Sequence, residues 1–510
     1  MAAAEQSHAC TTQILVVGGG PVGLLLAGEL RLAGAEVVLL ERRDAPTTES
    51  RATTLHARTM EILDARGLLG PLGAPPREPR GHFGGIPLDL TLPGPYAGQW
   101  KVPQTRTEEL LEEWARSLGA DIRRGHELAT LTVREDHIEA EAAAPAGPVR
   151  VRAGYVVACD GEDSTVRRLT GVGFPGHGAR RELLRADLAG IDIPDRRFER
   201  LAGGLAVSAR RGDGVTRVMV HEFGAAPRHR TTAPDFDEIA DAWGRVTGED
   251  ITGGTPLWLN SFGDESRQLT HYRHGRLLFA GDAAHRQPPI GGQALNLGLQ
   301  DAANLGWKLA AAARGWAPPG LLDSYHTERH EVGRRVLANI ETQSGLLFGG
   351  VESEPLRALF GELLPLDGVR THLAGMISGV DIRYGFDGTG DHPLLGARLP
   401  QAALVTDEGP ATTFALLRAG RGILLDLTGG GNTGLLNAAA PWADRVRPVT
   451  ALLAEPAAQE LPPGTGAALV RPDGHVVWAA HGRAADSAGS VAALHRWFGE
   501  PAADATPAAR

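Results

Sequence analysis

The chain has 510 residues, of which 42% are hydrophobic and 22% charged, and a formal net charge of −10. That length exceeds one ordinary domain and predicts about three; the acidic balance without a basic run excludes a nucleic-acid binder, and no apolar run reaches the roughly 18 residues of a membrane span. Two cysteines, Cys10 and Cys159, exclude a disulfide framework and a structural metal site.

Residues Met1 to Thr12 lack the basic and then apolar pattern of a secretory signal, which predicts a cytoplasmic protein. From Gln13 to Gly34 the pattern predicts a strand (Ile14-Leu15-Val16-Val17), a tight turn (Gly18-Gly19-Gly20-Pro21-Val22-Gly23) and a helix from Leu24 to Leu32. A second strand, Glu36 to Leu40, ends in Glu41. This is a complete dinucleotide fingerprint. Gly18 permits the turn, Gly20 lets the backbone approach a pyrophosphate, Gly23 lets helix and strand pack closely, and Glu41 accepts from ribose hydroxyls.

Residues Gly81 to Lys101, rich in Gly and Pro and carrying Phe83, Tyr96 and Trp100, predict strands or a flap beside a substrate crevice. A second buried strand, Tyr155 to Ala158, runs into the acidic turn Asp160-Gly161, with Arg167 shortly after. Between His177 and Thr270 the helical period is lost, and short alternating runs such as Gly214 to Phe223 predict a mostly antiparallel sheet. A third strand, Arg276 to Phe279, leads through Ala280-Gly281-Asp282 to His285, then Pro288-Pro289-Ile290-Gly291-Gly292-Gln293-Ala294-Leu295-Asn296 and a long helix from about Leu297. The carboxylate and the following helix terminus suit a ribityl chain and a pyrophosphate. His285 reads as a packing residue in preference to a general base, and Tyr325 to Arg335 as a solvated helix face.

From about Pro393 a separate α/β domain is predicted. Its run Gly429 to Gly434 matches a second glycine fingerprint, but Pro441 ends the next helix after about two turns, too short for a nucleotide-binding crossover.

The three ordered segments resemble the GxGxxG, DG and GD fingerprints of class A flavoprotein aromatic hydroxylases, whose fold is that of para-hydroxybenzoate hydroxylase. His82-Phe83-Gly84-Gly85, Leu118 to His126, Tyr325 to His330 and Arg471 to Trp478 narrow the likeness to bacterial aromatic polyketide hydroxylases of the angucycline type. The resemblance implies an α/β protein with a glutathione-reductase-type FAD-binding Rossmann domain (1–176 and 271–392), an inserted antiparallel-sheet substrate domain (177–270, joined by 81–102) and a thioredoxin-like C-terminal domain (393–510). No Cys-x-x-Cys is present, so that last domain does no disulfide chemistry and is read as structural or dimerising.

By the same resemblance the cofactor is FAD, bound by Gly18, Gly20, Pro21, Val22 and Gly23, with Glu41 and Arg42 at the adenosine ribose, Arg51 near the pyrophosphate and Leu128 at the adenine. Gln104 touches the ribityl or pyrophosphate region, Asp282 binds the ribityl side, Asp160 is a further cofactor contact, and Pro288, Gly291, Gly292, Ala294, Leu295 and Asn296 line the isoalloxazine. Phe83, Gly84 and Gly85 are candidate substrate contacts, no catalytic residue is singled out, and His56 and His82 stay undecided. Relatives usually carry Gly-Met where this chain has Ala294-Leu295, and an alanine there removes freedom from a loop facing the flavin. The implied reaction consumes NADPH and dioxygen to hydroxylate a polycyclic aromatic polyketide, by a monomer or homodimer. A Baeyer–Villiger oxygenase and a non-catalytic flavin-holding scaffold remain open on the same fold, whereas a flavin halogenase lacks its Trp-x-Trp-x-Ile-Pro run.

Overall fold

The computed structural model describes residues 8–48, 52–211, 214–228, 230, 232–386, 391–454, 461–482 and 487–501. Its central sheet is parallel in the order Leu277–Phe279, Val149–Ala158, His8–Val17, Val37–Glu41 and Asp121–Arg124. Strands Glu127–Val133 and Ile138–Ala143 add to Val149–Ala158 as an antiparallel meander. Ile14 to Val16 and Val156 to Ala158 are entirely buried. Such continuous apolar runs suit strands covered on both faces. Helices Pro21–Leu32, Gln104–Ser117 and Gln293–Ala313 pack together over this sheet. They come close because Gly28 leaves room for Trp114, whose Cζ3 would lie 2.1 Å from a Cβ at that position.

A second, antiparallel sheet runs in the order Arg196–Leu201, Gly204–Arg210, Thr216–Glu222, Glu182–Ala189 and Thr255–Gly263. Its side chains alternate between two apolar layers. Leu184, Ala186 and Leu188 pack on the helix Phe236–Thr247, while Leu183 and Leu205 face Ile340, Leu347 and Phe348 of the helix Asp323–Phe348. The helix Phe236–Thr247 was not expected in this segment; Ile239, Trp243 and Val246 make its buried stripe.

The third sheet, in the order Gly409–Thr412, Ala403–Thr406, Val446–Leu453, Gly422–Asp426, Thr465–Val470 and Val476–His481, carries helices Thr433–Ala439 and Ser487–Phe498. Pro441 lies in the one-turn 3-10 segment that ends the helix Thr433–Ala439, so the glycine run before it opens a helix of only two turns. Trp307 of the helix Gln293–Ala313 joins Leu424, Trp497 and Phe498 in one apolar cluster, which seats the third sheet against that helix.

The expectation of a solvated face from Tyr325 to Arg335 is corrected. Tyr325 and Arg329 are at most 1% exposed and Glu328 is 8% exposed. Their polar atoms are satisfied internally: the Tyr325 hydroxyl donates to the Phe279 carbonyl at 2.7 Å, and Arg329 Nε donates to Asp301 Oδ1 at 2.8 Å.

Candidate cofactor and substrate site

The glycine turn sits at the carboxyl end of the strand His8–Val17. Gly18 has φ +107°, and its amide donates to the Leu40 carbonyl at 2.8 Å. Gly20 precedes Pro21 as the N-cap of its helix and supplies no side-chain cap. Glu41 arrives from the neighbouring strand; its Oε2 accepts from the Gly19 amide at 2.6 Å and its Oε1 from the Arg43 amide at 2.9 Å. Each carboxylate oxygen keeps a further lone pair for a ligand hydroxyl. Arg42 follows on the exposed surface, while Leu128 is buried in the meander.

Asp160 begins the second motif. Its Oδ2 accepts from the Val166 amide at 3.0 Å, its Oδ1 is buried and unpartnered, and burial pushes its carboxyl pKa up. Arg167 clamps this turn to the third motif, donating from Nη1 to the Ala283 carbonyl at 3.1 Å and from Nη2 to the Glu162 carbonyl at 2.5 Å. In the third motif Gly281 is buried against Val22 of the first, while Asp282 projects to the surface. The three fingerprints, separated by more than a hundred residues each in sequence, meet at one edge of the parallel sheet.

Beyond them, Gly291 and Gly292 both adopt positive φ, +66° and +67°, and turn the chain into the helix Gln293–Ala313. Asn296 pins this turn: its Oδ1 accepts from the His56 amide at 2.8 Å and from Thr59 Oγ1 at 2.7 Å, and its Nδ2 donates to the carbonyls of Gly292 (2.7 Å) and Thr54 (3.0 Å). His56 Nε2 donates to the Gly291 carbonyl at 2.8 Å, which leaves Nδ1 a buried, unpartnered lone pair. Burial brings the His56 pKa down to about 4, so the ring is neutral. Ala294 and Leu295 are in the first turn of the helix, not in a loop, so an alanine there carries no conformational penalty.

The other expected residues have the following surroundings in the described part of the chain. Gln104 Nε2 donates to Glu108 Oε1 at 2.9 Å within its own helix. Phe83 is 3% exposed, stacked on Phe360 and packed with Leu346 and Leu364. The Gly84 amide donates to Gln343 Oε1 at 3.2 Å and its carbonyl accepts from Arg357, so this turn is tied to two helices. Pro288 is buried beside Ser344 and Ile340. Arg51 lies outside the described residues. His285, fully buried, has Nε2 on Asp301 Oδ2 at 2.7 Å. Asp301, which the sequence did not single out, also accepts from the Gly281 amide at 3.2 Å. Burial drives its pKa up, but Arg329 and His285 beside it outweigh this and hold the carboxyl below its usual range.

Two features fit this cradle to a dinucleotide. A Cβ placed on Gly20 would meet nothing within 4 Å, so open space fronts an uncapped helix N-terminus. On either side of the Pro288–Gly292 segment, both amide atoms of Gln287 and Gln293 are buried without partners. The fold and site together define a dinucleotide-binding protein of the Rossmann type.

Residues 11–340 match the family model of the FAD binding domain, and residues 392–501 match that of the aromatic-ring hydroxylase C-terminal domain. The chain belongs to this family of FAD-dependent aromatic-ring hydroxylases. It is 42% identical to 12-dehydrotetracycline 5-monooxygenase/anhydrotetracycline 6-monooxygenase of Streptomyces rimosus subsp. rimosus, over 96% of this chain and 99% of that protein. It is 41% identical to rifampicin monooxygenase of Streptomyces venezuelae, over 95% and 98% of the two chains. Among solved structures, CabE, an aromatic hydroxylase from angucycline biosynthesis, superposes with a TM-score of 0.92 at 48% identity, over 96% of this chain and all of that one.

Proposed function

We propose that this chain uses NADPH and dioxygen to hydroxylate a polycyclic aromatic polyketide on bound FAD. One observation carries the reading. Ile290, between Pro288 and Gly291 in the cofactor-facing turn, packs with Leu183 and Leu205 on the inner face of the antiparallel sheet. The segment that would border the cofactor is thus seated directly on the second sheet, so in this reading the cofactor site and a substrate site between the two sheets adjoin there.

In this reading Gly18, Gly20, Pro21, Val22 and Gly23 bring helix amides to the pyrophosphate, and Asp160 is a further cofactor contact. Glu41 accepts from the adenosine ribose with Arg42 beside it, and Leu128 borders the adenine. Gln104 and Asp282 serve the ribityl side, and Pro288, Gly291, Gly292, Ala294, Leu295 and Asn296 line the isoalloxazine. Bound FAD supplies the redox chemistry, taking hydride from the nicotinamide and activating dioxygen. The protein excludes water and aims the amides of the first turn of Gln293–Ala313 at developing negative charge. His56, neutral and fixed on the Gly291 carbonyl, holds the shape of that turn.

The test is a single spectroscopic series on protein reconstituted with FAD. NADPH without air is expected to bleach the flavin bands, and air with a tetracyclic phenol to restore them and give a product one oxygen heavier. Failure to take up FAD overturns the reading. Faster reduction by NADH overturns the choice of nicotinamide, and a ring-inserted ester product assigns Baeyer–Villiger chemistry in place of hydroxylation.

A further inference from the structure

The C-terminal domain reaches into the nucleotide-binding part through one turn, Arg471 to His475, between two of its strands. Arg471, wholly buried, donates from Nη1 to Glu328 Oε1 at 2.7 Å, from Nη2 to Glu328 Oε2 at 2.9 Å, and from Nε to Asp473 Oδ1 at 3.0 Å. Lys308 Nζ, also buried, donates to Glu328 Oε2 at 2.8 Å and to Asn304 Oδ1 at 2.9 Å. The turn's backbone is gripped from the other side, with Arg66 Nη2 on the Pro472 carbonyl and Arg58 Nη2 on the Asp473 carbonyl, at 2.9 and 2.7 Å.

This network does not stop at the domain border. Asn304 Nδ2 donates to the Tyr384 hydroxyl at 3.3 Å, and Arg329 Nη1 donates to the same oxygen at 3.2 Å. Arg329 then holds Asp301, and Asp301 holds the Gly281 amide and His285. Arg471, Lys308 and Arg329 balance Glu328, Asp473 and Asp301 in formal charge. Buried charges that cancel this way are costly to separate, so a shift at one end is transmitted to the other.

We infer that the Arg471–Asp473 turn positions the Gly281–His285 segment for FAD, with the Tyr384 hydroxyl as the link between the two halves of the network. The inference rests on the FAD reading above. It gives the C-terminal domain a role in cofactor binding that neither dimerisation nor redox chemistry supplies. Tyr384, Arg471 and Asp473 are positioning residues, remote from the reacting atoms.

The experiment uses the full chain and measures three things in each variant: the melting temperature without FAD, the rise that saturating FAD adds, and the FAD dissociation constant from flavin fluorescence. Tyr384→Phe removes one oxygen from the link, and Asp473→Asn one charge from the turn. Asp426→Asn is the control, since Asp426 is buried in the same domain and bonds to Thr428 and Asn432, neither of which belongs to the network. The expected result is a dissociation constant raised roughly 2- to 30-fold in Tyr384→Phe and Asp473→Asn, with a smaller FAD-induced rise. The control lowers the melting temperature with that rise intact. By reciprocity, FAD is expected to slow hydrogen exchange at residues 471–475 of the unaltered chain. Should Tyr384→Phe keep the original FAD affinity and exchange at 471–475 ignore FAD, the inference is overturned. Wild-type protein that binds no FAD would instead sink the functional reading beneath it.

Discussion

His285 Nε2 and Asp301 Oδ2 lie 2.7 Å apart, and neither side chain is exposed at all. Asp301 also carries Arg329, so it is the joint at which the Gly281–His285 segment meets the buried ionic network. Asp301→Ala leaves the Arg329 guanidinium buried without its counter-charge, which is expected to cost about 3–5 kcal/mol in urea denaturation. His285→Gln keeps a donor for Asp301 and is expected to leave the oxygen-transfer rate within a few-fold. If His285 were the general base, that rate would fall by roughly 10²–10⁴.

Gly20 and Gly23 belong to one fingerprint but answer different demands. A Cβ on Gly20 meets nothing within 4 Å, whereas one on Gly23 would lie 2.0 Å from the Gly18 carbonyl oxygen. Gly20→Ala is therefore expected to keep the melting temperature of the FAD-free protein while weakening FAD binding tenfold or more, since the added methyl takes the space of the pyrophosphate. Gly23→Ala is expected to lower the melting temperature of the FAD-free protein itself. Equal losses of fold in both variants would contradict this division.

The parts of the site built by backbone approach were legible in the sequence because turn, helix start and acidic strand end follow one another within about thirty residues. What was misread depended on distant partners. Tyr325, Glu328 and Arg329 look like a polar helix face until Arg471, 143 positions from Glu328, is brought beside them. Asp301 shows no local pattern that marks it, and its role is fixed only when His285 and Arg329 converge on it. Ala294 read as a loop residue because the glycines before it hid where the helix begins. The helix Phe236–Thr247 escaped notice because its apolar stripe lies within a segment of alternating strands. Phe83 carried an ambiguous signal, and its packing on Phe360 gives it a core role.

Asp282 stands exposed beside buried Gly281, so its side chain adds little to the core. Asp282→Ala is expected to change the stability of the FAD-free protein by less than about 1 kcal/mol and to abolish flavin retention through gel filtration. A full flavin spectrum in that variant would remove Asp282 from the cofactor site.

Stability should fall on the acid side well before the carboxylates titrate. Burial lowers the pKa of His56 to about 4 and of His475 to about 3, from 6.5. The unfolded chain takes up these protons near pH 6.5 and the folded chain does not, so their contribution is complete above pH 6.5 and is lost as the pH drops toward 4. Each such histidine contributes a slope of about 1.4 kcal/mol per pH unit within that window. Glu328 acts lower: burial opposes its ionisation, but Arg471 and Lys308 hold its pKa at about 2, so its share is lost only below about pH 4.5. Urea denaturation between pH 7 and 4.5 therefore reads mainly the histidines. His475→Gln, which keeps a donor for the Gly396 carbonyl, is expected to flatten that fall by one proton's worth of slope. An unchanged slope would mean that His475 takes up its proton in the folded protein by the same pH as in the unfolded chain.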